Sequence, residues 1–169
     1  MPALAHFGIG LATKRFAPQL PLWILLISAM FIDILSFIFL SAVWISHGLF
    51  MSVIWSTIAM ITTSLITNHL NLKSNYIRIT IIIGLLVFTH GILDFIGWPM
   101  SIINPNASRV PLLFDDAVNI GLGVYSNWFG TLFMDIGVFV LGLALYIHYL
   151  KKVKNKANPK NLITIIKIS

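Results

Sequence analysis

Long apolar runs, separated by short polar or basic segments, dominate the chain. Four of them are long enough to cross a bilayer, at residues 22–44, 48–68, 79–98 and 128–150. A helix rises about 1.5 Å per residue, so roughly 20 apolar residues span the hydrocarbon core. None of the runs shows the alternation of a membrane β-strand, and lipid does not tolerate unpaired backbone groups. The pattern therefore predicts an all-α integral membrane protein, a four-helix bundle.

The segments outside these runs set the domain organisation. Pro18 and Pro21 suit the start of the first span, and Pro99 ends the third. Residues 1–13 are apolar but too short to span, and they lack a convincing cleavage site, which predicts a short interfacial or re-entrant helix. We expect one transmembrane domain over residues 1–150 and a basic cytoplasmic tail over residues 151–169.

The composition is typical of a membrane protein and excludes every functional site that needs cysteine. Of the 169 residues, 58% are hydrophobic and 9% are charged, whereas a soluble domain carries about 25% charged residues. The chain has no glutamate and five aspartates. Because there is no cysteine, disulfides, thiolate metal sites and cysteine nucleophiles are excluded.

The distribution of basic residues predicts the orientation. Arg109 is the one basic residue on one side of the predicted spans, and the other side carries the rest, including six of the eleven in the tail. The positive-inside rule then places both termini in the cytoplasm of a bacterial inner membrane. The tail is expected to contact anionic lipid, and a juxtamembrane basic segment needs no nucleic acid to explain it.

Ionisable residues inside the spans are the candidate functional residues, because charge is costly at bilayer depth. Counting from the outer span ends puts Asp33 at ~16 Å, His90 at ~12 Å, Asp135 at ~10 Å and Asp94 at ~6 Å. His47 falls in the short outer turn, at about zero depth. These residues predict a polar layer in the outer half of the bundle.

Two interpretations of this layer remain open. His90 and Asp94 are four residues apart and share a helical face, so they could ligate one metal ion, or the aspartate could orient the histidine. The same pair could instead be a hydrogen-bonded lock between helices with no chemistry. Asp33 and Asp135 could simply be protonated at depth, since desolvation disfavours the charged form.

Several short motifs resemble one bacterial family. They occur in order over roughly residues 5–150, as AHFGIGLATKR at 5–15, DIL at 33–35, SHGL at 46–49, THGILDF at 89–95, and GLG then SNW at 121–128. This arrangement is similar to the small multi-span proteins described as predicted membrane-bound metal-dependent hydrolases, of which the chain looks like a divergent member.

The resemblance implies a metal-binding site and names its residues. The implied ligands are His6, Asp33, His47, His90 and Asp94. The family's acidic residue in the last span corresponds here to Asp135. The family pattern often continues to a second histidine four residues after the aspartate, and this chain has Trp98 there.

Three functions compete at this point. The first is a metal-dependent hydrolase at the outer leaflet, holding a divalent ion such as zinc, with Asp135 as general base. The second is a non-enzymatic protein, either a proton- or cation-coupled transport component or a partner subunit. The third is bis-histidine haem ligation, which requires paired histidines at equal depth, whereas His47 and His90 are predicted to differ by ~12 Å.

Overall fold

The computed structural model describes residues 4–39, 44–69, 76–99, 110–113 and 118–157. Across these ranges the chain is helical and forms no β-strand, beyond two isolated bridges that join Pro99 to Leu122 and Pro111 to Asn119. The all-α prediction is therefore confirmed. The helices, in chain order, are α1 (Leu4–Thr13), α2 (Leu22–Ala29), α3 (Phe31–Ile38), α4 (Trp44–His47), α5 (Leu49–His69), α6 (Tyr76–Gly97), α7 (Trp128–Thr131) and α8 (Val138–Ala157).

Among the described residues, three continuous helices are long and apolar enough to cross a membrane. They are α5, α6 and the 28-residue helix Trp128–Asn155, in which a π-helical turn at Leu132–Gly137 joins α7 to α8. Their lengths of 21, 22 and 28 residues correspond to at least ~30 Å. They confirm the second, third and fourth predicted spans as helices, which fits a multi-pass membrane protein.

The first predicted span is wrong as a single helix. It is divided into α2 and α3, of eight residues each, with Met30 between them at φ −97° and ψ 6°. The Ser28 hydroxyl donates to the Ile24 carbonyl at 2.8 Å, a contact that often bends helices. The Ala29 carbonyl accepts a hydrogen bond from the His90 ring at 2.9 Å, which ties the break to α6. Residues 40–43 of this span lie outside the described ranges.

Helix α6 is the centre of the structure. In its apolar stretch 56% of the residues are buried, against 6% in α5 and 11% in the last long helix. The core lies where α2 and α6 meet, and its buried side chains are Ala17, Leu25, Ala29, Ile79, Ile83 and Leu86. Most large apolar side chains of α5 and α8 point outward instead, as expected for helices whose solvent is lipid.

The N-terminal helix α1 packs inside this assembly, against α8, α2 and α6. Residue 5 contacts residue 135, and residue 8 contacts residues 138 to 142, so α1 and α8 run parallel. A Cβ added at Gly142 would lie 2.0 Å from the Gly8 carbonyl oxygen. The two helices are thus in backbone contact, which only glycine at both positions permits.

The end of α8 and the connection between α6 and α7 are described only in part. Helix α8 continues past the predicted end of the span to Ala157, through the first lysines of the tail. Residues 158–169, Arg109 and the Asp115-Asp116 pair lie outside the described residues. The part of the long connection that is described returns to the end of α6, where the Leu122 amide donates to the Phe95 carbonyl and the Gly123 amide to the Trp98 carbonyl.

Candidate metal centre

Five side chains from four helices converge beside the end of α6. All five residues that the sequence suggested as metal ligands are in this group, which we call the His/Asp cluster: His6 from α1, Asp33 from α3, His47 from α4, and His90 and Asp94 from α6. Four of them are buried, and Asp33 is the most accessible, with 14% of its side chain exposed.

His90 lies at the centre of the cluster and is 1% exposed. Its Nδ1 lies 2.9 Å from the Ala29 carbonyl oxygen. A carbonyl only accepts, so Nδ1 carries a proton, and in the neutral ring Nε2 then presents its lone pair to the cluster. Nε2 lies 3.6 Å from Asp33 Oδ1 and 3.5 Å from Asp94 Oδ2. An outer hydrogen bond of this type holds a histidine in the tautomer that ligates a metal.

His47 is held in a similar way by its neighbour. The Ser46 hydroxyl lies 2.8 Å from His47 Nδ1, and a hydroxyl can donate to that nitrogen or accept from it. His47 Nε2 faces the carboxylates, 3.2 Å from Asp33 Oδ1 and 3.9 Å from Asp94 Oδ2. When Nδ1 donates to Ser46, Nε2 is free to act as a ligand.

The predicted separation of His47 from His90 is wrong. Its ring centroid lies 5.6 Å from that of His90, although the sequence placed the two ~12 Å apart along the membrane normal. The error arose because residues 22–44 were counted as one straight helix ending at the surface. In the structure His47 instead ends the separate helix α4, whose Ser46 and His47 are buried.

His6 completes the cluster from α1. Its Nε2 lies 3.8 Å from Asp94 Oδ1, and its ring centroid lies 3.8 Å from that of His90. The two imidazoles are therefore in van der Waals contact, which leaves no space for a porphyrin between them. His6 and His90 therefore cannot ligate a haem between them, and their spacing fits a small ion.

Several polar atoms of the cluster are buried without a hydrogen-bond partner. They are both ring nitrogens of His6, Nε2 of His90 and Oδ2 of Asp94. Leaving one such atom unsatisfied costs about 1–3 kcal/mol. A hydrogen-bonded lock between helices would satisfy these atoms, so their geometry argues against that alternative and in favour of a bound ligand.

The spacing of the ligand atoms suits a metal ion. Two triads, His6–His90–Asp94 and Asp33–His47–His90, each offer one ligand atom per residue within 4.8 Å of the others. Ligands about 2.0–2.2 Å from a tetrahedral ion are about 3.3–3.6 Å apart. The cluster's nitrogen–oxygen distances run from 3.2 to 3.9 Å, so little movement would bring these atoms to a shared ion. These buried groups could therefore hold a metal ion, and a divalent cation would balance the charge of two carboxylates.

Asp135 is buried as predicted, but it contacts a different part of the chain. Its Oδ1 accepts a hydrogen bond from the Ala5 amide at 2.9 Å, so it caps the N-terminus of α1, where a carboxylate is also favoured by the helix dipole. It belongs to neither ligand triad. Its observed role is to position α1 and thereby His6, and its role as general base stays a prediction.

Tyr125 is a candidate that the sequence analysis did not single out, because a tyrosine just outside a span is also typical of the membrane interface. Its hydroxyl is buried without a hydrogen-bond partner, and its ring packs against Gly97, where an added Cβ would lie 2.0 Å from Cε2. Burial, with the nearby charges of Asp135 and Asp94, raises the pKa of Tyr125 to about 12. The hydroxyl therefore stays protonated near neutral pH and can donate a hydrogen bond.

Trp98 occupies the position of the family's further histidine. Its ring meets that of Tyr125 edge-on, with centroids 5.8 Å apart, and its side chain lies within reach of Asp94 as a hydrogen-bond donor. Trp98 and Tyr125 thus close one side of the cluster.

Comparisons of the chain with protein-family models, with curated proteins and with solved structures give no match.

Proposed function

We propose that this protein is a membrane-embedded hydrolase that uses a divalent metal ion, with zinc as the first candidate. The observation that carries the proposal is the set of unsatisfied nitrogen and oxygen atoms in the His/Asp cluster, spaced as metal ligands are. The resemblance of the sequence motifs to the predicted membrane-bound metal-dependent hydrolases supports the same function. The substrate class remains open, and a lipid-linked molecule suits a site near a membrane surface.

The proposed setting is a bacterial inner membrane with four crossings and the C-terminus in the cytoplasm. Helices α2 and α3 together make the first crossing, and α5, α6 and the long helix ending in α8 make the other three. Helix α1 runs parallel to α8, so in this topology it begins beside Asp135 in the outer half of the bilayer and ends towards the cytoplasmic side. A re-entrant helix that enters from the cytoplasm does not fit this direction. In this orientation the His/Asp cluster faces the outer leaflet, and the lysines of the tail meet anionic lipid, as the positive-inside rule requires.

In the proposed hydrolysis, the residues of the His/Asp cluster and Tyr125 have different roles. His6, His90 and Asp94 would hold the ion, and Asp33 with His47 would complete the shell or move protons. A divalent ion supplies Lewis acidity and lowers the pKa of water to form a nucleophile. Asp33, as the most accessible of the five, lies where a substrate would approach. The Tyr125 hydroxyl is a donor that could stabilise an oxyanion in the transition state.

Metal analysis tests this proposal. We expect purified wild-type protein to carry stoichiometric metal by elemental analysis, and His90→Ala to lose it. His69→Ala is the matched control, because His69 is an exposed histidine at the far end of α5. Wild-type protein that binds no divalent metal after supplementation, or His90→Ala with unchanged metal content, would overturn the proposal.

The burial of the cluster favours a second candidate, a non-enzymatic transport component. His90 is 1% and Asp94 6% exposed, and a proton or bare cation reaches such a site more easily than a substrate does. Buried carboxylates and histidines also form proton relays in transporters. Proton or cation flux into vesicles that disappears in Asp33→Asn, without hydrolysis in the wild type, would favour this function.

A further inference from the structure

The opposite end of the α1–α8 pair carries a second polar site. The two helices start together at the Ala5–Asp135 hydrogen bond and touch at Gly8 and Gly142. Because they run parallel, the residues that follow α1 lie beside the last turns of α8. A cavity of about 220 Å³ opens there, lined by Arg15, His148, Tyr149, Lys152 and Val153.

This cavity presents hydrogen-bond donors and positive charge. Arg15 and Lys152 are cationic, Tyr149 offers a hydroxyl, and His148 offers ring nitrogens. The four lining residues of α8 follow one another at i, i+1, i+4 and i+5, so they form one face of the helix. No lining residue among those described is acidic, so an anion would be attracted without competition from a carboxylate of the pocket.

Among the described residues near the cavity, Lys14 bonds to backbone carbonyls, and no aspartate lies close enough to neutralise Arg15 or Lys152. The Lys14 ammonium donates to the carbonyls of Pro18 and Leu20 and so secures the turn after α1. Arg15 remains exposed, with its guanidinium 5.3 Å from the centre of the Phe16 ring. The described aspartates, at positions 33, 94 and 135, lie at the other end of the assembly.

We propose that this cavity binds a phosphate group, either as the headgroup of an anionic phospholipid or as a free phosphate. Arg15 and Lys152 supply charge-assisted hydrogen bonds, and Tyr149 and His148 supply further hydrogen-bond donors. The cavity is smaller than the ~300–1,000 Å³ typical of sites for drug-sized ligands, which suits a headgroup. The site is formed by α8 and by the turn after α1, so it differs from non-specific attraction of the tail to lipid. It does not depend on the function of the His/Asp cluster.

Titration of the full chain in a non-ionic detergent tests the proposal. The probes are short-chain phosphatidylglycerol and inorganic phosphate, and the dissociation constant is measured by microscale thermophoresis. We expect the double variant Arg15→Gln with Lys152→Gln to bind about 10-fold or more weakly, because it loses two charge-assisted contacts. The matched control, Lys151→Gln with Lys154→Gln, removes the same charge from the other face of α8 and should bind nearly as the wild type does.

The outcomes distinguish a lipid headgroup from a free phosphate and show whether the cavity binds either. Selective weakening with phosphatidylglycerol alone supports a lipid headgroup, and the same selectivity with inorganic phosphate supports a free anion. Equal weakening in both double variants, or no binding by the wild type, overturns the proposal. If the Arg15 substitution disturbs folding by circular dichroism, the single variants Lys152→Gln and Lys154→Gln provide the same contrast on one exposed helix end.

Discussion

The two ends of the α1–α8 pair handle charge in opposite ways. At one end, carboxylates and imidazoles from four helices are buried together in the His/Asp cluster. At the other, Arg15 and Lys152 are exposed at an open cavity. Burying a charge requires a partner of opposite sign, and here histidine or a bound cation must provide it. The exposed cations need no such partner, because water and headgroups solvate them. One end therefore gathers buried groups that could hold a metal ion, and the other presents exposed cations to its surroundings.

The largest effect is expected from a substitution that disturbs both ends of the α1–α8 pair at once. Gly142→Ala places a Cβ 2.0 Å from the Gly8 carbonyl oxygen, so α1 must move away from α8. Overpacking of this kind costs about 1–3 kcal/mol or more. We expect a lower unfolding temperature in a thermal melt, weaker metal binding through His6, and weaker phosphate binding through Arg15.

Gly137→Ala is the matched control for this change. A Cβ added there meets nothing within 4 Å, and alanine is favoured over glycine in a helix by up to about 1 kcal/mol. The control should therefore be as stable as the wild type or more so. If the two variants melted alike, close contact between α1 and α8 would not be what holds the two ends in place.

A smaller effect should be confined to the cluster end. Asp135→Ala removes the cap of α1 and should lower stability by about 1 kcal/mol and weaken metal binding, with phosphate binding unchanged. Asp135→Asn keeps an oxygen acceptor for the Ala5 amide, so it should retain most of the stability and metal content. Hydrolysis abolished in the asparagine variant with stability and metal retained would instead identify Asp135 as the general base.

The smallest effect on stability is expected at Tyr125. Tyr125→Phe deletes a buried hydroxyl that has no partner, so the folded protein should be equally stable or slightly more stable at neutral pH, while hydrolysis should slow. The pKa of this tyrosine is about 12, above its ordinary value of about 10, so above pH 10 the unfolded chain loses the proton first. Stability should therefore fall as pH rises from 10 to 12, and less steeply in the phenylalanine variant. An unchanged hydrolysis rate would exclude a role in the chemistry.

The sequence predicted those parts of the site that depend on local spacing. His90 and Asp94 lie one helical turn apart, and the long apolar runs around them predicted α5, α6 and the last long helix. The relation of His47 to His90 was not accessible in this way, because it depends on the break at Met30. That break is fixed by the Ser28 and Ala29 contacts within α2 and with α6, which no helical periodicity reveals.

Contacts between residues far apart in the sequence explain the other differences between the predicted site and the observed one. Asp135 was recognised as a buried acid, but its partner is the amide of Ala5, 130 residues earlier in the chain. Tyr125 carries an ordinary interfacial signature, and only the packing of its ring over Gly97 brings its hydroxyl near the cluster. His6 was implied by family resemblance rather than by depth, because α1 is too short to be counted as a span.

The hydrogen bond between Asp135 and Ala5 also bears on the order of biosynthesis. The ribosome releases α1 first and the segment with Asp135 last, and the translocon must insert everything between them before the two can meet. His6 can therefore take its place only after the final long helix has entered the membrane. A chain truncated before that helix would carry the other four residues of the cluster but would lack Asp135 and α8, which hold the fifth. Premature release would therefore yield a protein with an incomplete His/Asp cluster.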